Sequence, residues 1–481
     1  MNIAEYARYD ATGLAELVAR REVSAKELAE TAAAAIAAAN PKVNAVVELY
    51  RDRIEALDER SLADGPFRGV PFLIKDIGAH LKGRKFECGS RLLRDEVADG
   101  DSHVGKLFQE AGLNIIGRSN APEFSIAGTT ENALYGNTST PWRQGYSAGG
   151  STGGGAAAVA SGMVPMAHGS DIGGSIRIPA SLCGGIGIKP SRGRVSAGPK
   201  FDEGGWGLAM NFAQTRTVRD TAALLDCMAK PQVGDPFVIP KPEESYLSLI
   251  ARPARKLRIA WSTKPLMDAP VDPEVAAAVE ATAKVLAAHG HAVEEAHMDF
   301  DAIDAARRMV DLWFFGFAER CDELGAKHGR KPGPDTLEPV TLKIYEYARS
   351  ITRPQFLASH SAMNTIRRRA AVVLAQSDVW MSPTTAAVSE PHGLYNQGRS
   401  DLSAEEFLVV AERPLQYTFP HNVMGTPAIS LPLAMHSNGL PIGVQLGARP
   451  AQEHLLLQLA ALLEQEMPWK DRTPPLHVTK A

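Results

Sequence analysis

The sequence predicts an α/β protein, one large unit with embellishments rather than a string of small domains. Three observations carry this. Helical and strand patterns alternate along most of the chain, several short apolar runs are bounded by glycine and proline, and 481 residues suffice to bury one large core.

A capping box at Ser24-Ala25-Lys26-Glu27 starts a helix whose alanine-rich run reaches Ala39, with a stop expected at Asn40-Pro41. Val43 to Tyr50 predicts a strand and Asp52 to Ala63 a second helix. Val70 to Ile74 is a hydrophobic strand closed by Lys75, and Leu107 to Ile116 repeats the helix-then-strand pattern. Gly117 to Gly136 is a polar loop with hydroxyls near glycines, suited to lining a pocket. Tyr146 to Lys189 carries almost no charge; Ala156 to Ala160 favours a helix and Met163 to Ala167 a short buried strand.

Thr221 to Met228 predicts a helix, and the proline-rich, polar stretch Lys230 to Arg255 a linker or surface excursion. Strands are expected at Leu257 to Trp261 and Ala292 to Glu295, with a helix from Pro273 to His289 between them. About Asp301 to Gln376 reads as largely helical, over Ile303 to Leu324, Leu342 to Ile351 and Pro354 to Leu374. Its aromatics Trp313, Phe314, Phe315, Phe317 and Tyr345 are expected mainly in a core, with the far wall of a pocket as the second reading. Val379 to Ser382, Ala428 to Pro432 and Leu440 to Leu446 predict strands, the last two joined as a hairpin across Ser437-Asn438-Gly439, and Glu453 to Gln465 a closing helix.

Composition narrows the function classes. With 51 Lys plus Arg against 55 Asp plus Glu, the net charge of −4 gives no footprint for nucleic acid or an anionic membrane. Cys88, Cys183, Cys227 and Cys321 form no C-x-x-C pair, as expected of reduced thiols in a cytoplasmic protein. The N-terminus has no secretory pattern and the chain no apolar run of roughly 18 residues. The expected partners are a small molecule and water, with a homodimer as the assembly to test for.

The chemistry centres on two glycine-flanked serines, Ser151 in Gly149-Gly150-Ser151-Thr152-Gly153-Gly154 and Ser175 in Gly173-Gly174-Ser175. Glycine clusters of this kind let backbone N–H groups face a ligand, which is how an oxyanion site is made. A serine nucleophile needs a base; His168 is the one histidine near Ser175 in sequence, and no Asp or Glu completes a triad with it. Gly149 to Gly153 matches G-x-S-x-G, but no hydrophobic strand precedes it. Gly100 to Lys106 matches G-x-x-x-x-G-K without the final Ser or Thr, and S-x-x-K is absent. What remains is Lys75 as base, with Ser151 relaying the proton of Ser175; His168 is then dispensable. A buried lysine tends to lose its proton, while the plain alternative is a Lys75–Asp76 ion pair.

The motifs GVPFLIKD from Gly69, GGSTGG from Gly149, GSDIGGSIRIPA from Gly169, CGGIGIKPSRGRVS from Cys183, PAISLPLAM from Pro427 and GLPIGVQLGA from Gly439 together resemble the amidase signature family. The resemblance implies a single unit over residues 1–481: a large mixed central sheet covered by helices on both sides, a catalytic core over 65–200 and an inserted, variable, largely helical region over about 230–376. It assigns the triad to Ser175, Ser151 and Lys75, and the oxyanion hole to the N–H groups of Ile172, Gly173, Gly174 and Ser175. It also implies a cis peptide at Gly150–Ser151, bracing by Asp171 and Arg177, and a supporting Thr152 where the family carries serine. Phe124, Ser125, Gly128, Thr129, Gly149 and Gly150 are the substrate-binding candidates, and no cofactor or metal is expected.

The late part of the chain resembles the bacterial catabolic amidases of cyclic and aryl amides. The expected activity is hydrolysis of a small, largely apolar amide, with carbamates as possible relatives among substrates. The alternative is the A subunit of a tRNA-dependent amidotransferase, disfavoured because Leu415 stands where an acidic residue is expected and Glu412 is out of register. A nucleotide-binding reading rests on G-x-G-x-x-A at Gly153 to Ala158, which again lacks a preceding strand. His289-Gly290-His291 is read as solvated loop rather than metal ligand, and Cys321 as a packing residue, with reaching the pocket as the second reading.

Overall fold

The computed structural model describes residues 1–200, 203–412 and 416–480. Its spine is one eleven-stranded sheet: β1 (Val46–Leu49), β2 (Pro71–Lys75), β3 (Asn114–Ser119), β4 (Met166–Asp171), β5 (Ile186–Lys189), β6 (Met210–Thr215), β7 (Arg258–Trp261), β8 (Ala292–Glu295), β9 (Val379–Pro383), β10 (Ala428–Met435) and β11 (Pro441–Ala448). They lie in the order β1-β3-β2-β4-β6-β5-β10-β11-β9-β7-β8. β2 runs parallel to β3 and β4, and β7 to β8 and β9, while the middle of the sheet is antiparallel, so the sheet is mixed. One apolar cluster, reaching from Leu14 through Phe72 and Val444 to Leu463, buries the sheet against its helices. At roughly 1.5–3 kcal/mol per fully buried large apolar side chain, that cluster is the main stabilising term.

Several boundaries differ from expectation for local reasons. The first long helix, Ala25–Val43, runs through Pro41 and ends on Asn44 in the left-handed region. Asn40 completes the exit from inside the last turn, its Oδ1 accepting from Ala45 N (2.7 Å) and Val46 N (2.8 Å). Asp52 to Ala63 divides into a short helix, Arg51–Glu55, and a 3-10 turn, Glu59–Ser61. β4 begins later than predicted and continues to Asp171, which brings the end of that strand to the second glycine cluster. The 230–255 excursion contains one short helix, Tyr246–Leu249.

β5 and β6 were not anticipated. β6 reads Met-Asn-Phe-Ala-Gln-Thr, and its polar residues are buried because they have partners: Gln214 Nε2 donates to Ile176 O at 2.6 Å and Asn211 Oδ1 lies 3.1 Å from His168 Nε2. The largely helical stretch forms helices Ala302–Phe314, Phe317–Lys327, Pro339–Ser350 and Arg353–Ala370, with a separate apolar cluster around Phe314, Cys321, Ile344 and Phe407.

Candidate active site

β2 is buried along its whole length and delivers Lys75 at its end, fully enclosed. β4 is its parallel neighbour, so Ser170 and Asp171 emerge beside it. Lys75 Nζ lies 2.7 Å from Ser151 Oγ and 3.0 Å from Ser170 Oγ. Burial pulls the amine down to about 7, against the opposing pull of Asp171, so near neutrality the uncharged form is well populated. The Lys75–Asp76 ion pair is absent: Asp76 accepts from Arg118 Nη1 (2.5 Å), Glu87 N (2.9 Å) and Gly89 N (2.8 Å).

Ser151 follows a cis peptide at Gly150. Gly150 is glycine for want of room, since a Cβ there would stand 2.5 Å from Thr129 N. Thr152 N donates to Ser175 O at 3.2 Å, fastening one serine loop to the other. Ser151 and the half-buried Ser175 border the same cavity. The Ser175 hydroxyl makes no hydrogen bond among the described residues, so the Ser151–Ser175 link of the relay is open in this structure. Catalytic hydrogen bonds often tighten only when substrate is bound.

The loop from Ile172 to Ser175 is held from behind. Asp171 accepts from Ile176 N (3.2 Å), from Arg177 Nε (3.0 Å) and Nη2 (2.9 Å), and from Asn422 Nδ2 (2.8 Å). Burial pushes the Asp171 carboxyl up, but Arg177, Lys189 and Asn422 together outweigh it and hold it at about 2. Arg177 Nη1 also donates to Thr418 O and Gln445 Oε1, both at 2.7 Å. Thr418 Oγ1 donates to Gly173 O at 2.5 Å, and a Cβ on Gly174 (φ 141°) would meet that hydroxyl at 2.3 Å. None of the N–H groups of Ile172, Gly173, Gly174 and Ser175 donates to a protein acceptor among the described residues. Four free donors beside a serine suit a developing oxyanion.

His168 is more involved than its sequence position suggests. Its Nδ1 accepts from Lys75 N at 3.3 Å, so Nε2 carries the proton and donates to Asn211 Oδ1 at 3.1 Å. Burial drives the ring down to about 3, with Asn211 opposing, which keeps it neutral and leaves no lone pair for Ser175.

The cavity measures about 660 Å³, within the roughly 300–1,000 Å³ usual for small-molecule sites. Phe124 and Ser125 border it, both with left-handed backbone (φ 50° and 60°). Gly128, Thr129, Gly149 and Gly150 are not among its lining residues. Thr129 Oγ1 turns instead to Glu131 Oε1 (2.7 Å) and Ser147 Oγ (2.6 Å), and Gly149 packs on Pro179, so this group shapes the support behind Ser151.

The aromatics divide: Phe314 and Tyr345 are core, whereas Trp313, Phe315 and Phe317 face the cavity. Cys321 borders it too, its thiol pushed up by burial. Leu415 lies outside the described residues. Gly153 to Ala158 opens the helix Gly153–Ala160, and a Cβ on Gly154 would stand 2.4 Å from Asn120 N; these glycines serve close packing and leave no room for a pyrophosphate. Of His289 and His291, His291 is buried rather than solvated, its Nδ1 accepting from Leu257 N at 3.2 Å.

Sequence reasoning missed Ser170, the braces Thr418, Asn422 and Gln445, and Trp206 on the cavity edge. Ser170 was within reach, since it precedes Asp171 in a motif already singled out; the braces lie more than 200 residues from Arg177 and carry no local signal.

Comparisons with known proteins place the chain in a family. The Amidase family model matches residues 27–457. The chain is 37% identical to the 6-aminohexanoate-cyclic-dimer hydrolase of Pseudomonas sp. (strain NK87), covering 97% of this chain and 96% of that one. It is 33% identical to an acylamidase of Rhodococcus erythropolis, covering 96% of each. A solved structure of 6-aminohexanoate cyclic dimer hydrolase complexed with substrate superposes with a TM-score of 0.91 at 36% identity, over 98% of this chain and 99% of that one. With a buried lysine, two serine loops and a matching profile over most of its length, the chain belongs to the amidase signature family of hydrolases that cleave amide C–N bonds.

Proposed function

We propose that residues 1–481 act as a single cytoplasmic catalytic unit that hydrolyses a small, largely apolar amide, aryl or cyclic, through an acyl-enzyme on Ser175. The observation that carries this reading is the enclosed Lys75 amine 2.7 Å from Ser151 Oγ, with its conjugate acid at about 7. Substrate class follows the relatives, one named for a cyclic dimer and one for acylamides, and the apolar, aromatic-walled cavity supports it. Nothing about the cavity favours the amidotransferase alternative.

The reaction runs as follows. As Ser175 Oγ bonds to the substrate carbonyl carbon, its proton passes to Ser151 Oγ while the Ser151 proton passes to neutral Lys75 Nζ. An N–H held by Ser170 Oγ leaves the lysine lone pair facing Ser151. The carbonyl π electrons move onto oxygen, which the free N–H groups of the Ile172–Ser175 loop receive; one such donor is worth about 3 kcal/mol of barrier. The proton returns along the same path to the amide nitrogen, the C–N bond breaks, and the amine leaves. Water then attacks the ester with the relay as its base, releasing the carboxylic acid and restoring Ser175.

Mass spectrometry of protein treated with a fluorophosphonate tests the assignment. The expected adduct is on Ser175, and a label on any other residue would displace the nucleophile.

A further inference from the structure

The aromatic side of the cavity is assembled from two distant parts of the chain. Phe315 and Phe356, from the helical layer, stack with ring centroids 4.2 Å apart. Trp206 arrives from the other side, out of the Gly204–Gly207 turn that precedes β6, and its indole meets Phe356 at 4.8 Å and Phe315 at 6.4 Å. Trp206 borders the cavity, yet 47% of it is exposed. An indole in that position keeps an apolar face in contact with water until something apolar covers it.

The turn that carries it is tied to the catalytic machinery. Gly207 O accepts from Arg192 Nε, and Arg192 Nη2 donates at 2.8 Å to the carbonyl of Asn422, the residue that braces Asp171. A Cβ on Gly205 would stand 3.6 Å from Ile172 Cδ1, so the turn runs beside the first residue of the Ile172–Ser175 loop. Trp206 itself has φ 57°, a conformation that side-chain-bearing residues keep only where their surroundings impose it. The indole is therefore held at a set place relative to Ser175 rather than hung on a free loop.

We propose that Trp206 is a specificity-determining residue: its open indole face covers the apolar part of the substrate remote from the scissile bond, selecting amides with an extended alkyl or aryl portion over short ones. The proposal rests on the amidase reading. Each methylene brought under the indole adds about 0.8 kcal/mol of binding, a factor of roughly four. Rate should therefore climb with chain length on the side of the substrate that Trp206 meets.

Two homologous series test this with the full chain: p-nitroanilides of acetic to hexanoic acid, which lengthen the acyl side, and acetanilides with para-methyl to para-butyl groups, which lengthen the amine side. In one series wild-type kcat/KM is expected to rise about fourfold per methylene. Trp206→Ala is expected to cut that rise below about twofold, while Trp206→Phe keeps most of it. Trp206→Gly, which the left-handed backbone accepts, is the second indole-free variant should the alanine form not fold. Slopes unchanged in both series, or a uniform drop along both, would overturn the proposal. Absence of any wild-type turnover would overturn the amidase reading, and this proposal with it.

Discussion

The two walls of the cavity are built by opposite rules. On the catalytic wall every group except the Ser175 hydroxyl and the free N–H donors is tied, mostly at 2.5–3.3 Å, to a partner that is itself tied. On the aromatic wall each ring packs on another ring, Trp313 on Phe314 at 4.9 Å, Phe315 on Phe356 at 4.2 Å and Phe317 edge-on to Phe124 at 5.2 Å, and Trp313, Phe315 and Phe317 remain partly exposed. Hydrogen bonds fix atoms to fractions of an ångström, whereas apolar contact is non-directional and tolerates exchange. The difference separates what the reaction requires from what a substrate requires.

If that contrast holds, substitutions on the two walls should have effects of different size and kind. The largest is expected from Lys75→Met, which keeps the volume and removes the proposed base: kcat/KM should fall at least about 10³-fold, and anilide turnover measures it. A fall below about tenfold would place the base elsewhere. In the wild type, kcat/KM should rise with pH through about 7, because the protonated lysine cannot accept a proton. Stability is linked to the same group. Its ordinary value of 10.5 lies above the folded one of about 7, so in that window the unfolded chain binds more protons and stability rises with pH. Lys75→Met should flatten that part of a melting-temperature profile.

An intermediate effect is expected from His168→Ala. The ring holds the Lys75 amide without taking part in proton transfer, so kcat/KM should drop about tenfold, the value of one hydrogen bond, with the acid limb of the pH profile unmoved. A shifted limb would mean that the imidazole titrates with the lysine. The smallest effect is expected from Phe317→Ala on the aromatic wall, which should raise KM about fivefold with kcat within about twofold. A collapse of kcat there would break the separation of the walls.

The parts legible in the sequence were those whose cause is local. A lysine ending an apolar strand, and hydroxyls set between glycines, announce themselves within ten residues; Lys75 lies 2.7 Å from Ser151, and Ser151 and Ser175 border one cavity. β6 was illegible because its Asn211 and Gln214 are buried by virtue of distant partners, and a polar strand looks like a loop until those partners are known. Gly128 and Thr129 lie in a polar loop near Ser151, but the residues of that loop that border the cavity are Phe124 and Ser125, two consecutive side-chain-bearing residues with positive φ that no local sequence signal announces. Trp206 escaped for a related reason: Gly204-Gly205-Trp206-Gly207 marks an unusual turn without saying what it faces.

Arg177 spans the chain in another sense, because the residues it clasps at 418, 422 and 445 are all made more than 200 residues after it. A nascent polypeptide stopped short of Gln445 would display Ser175 yet lack the frame that holds the Ile172–Ser175 loop. The proposed nucleophile is thus expected to stay inert until residues 418–445 have joined the fold.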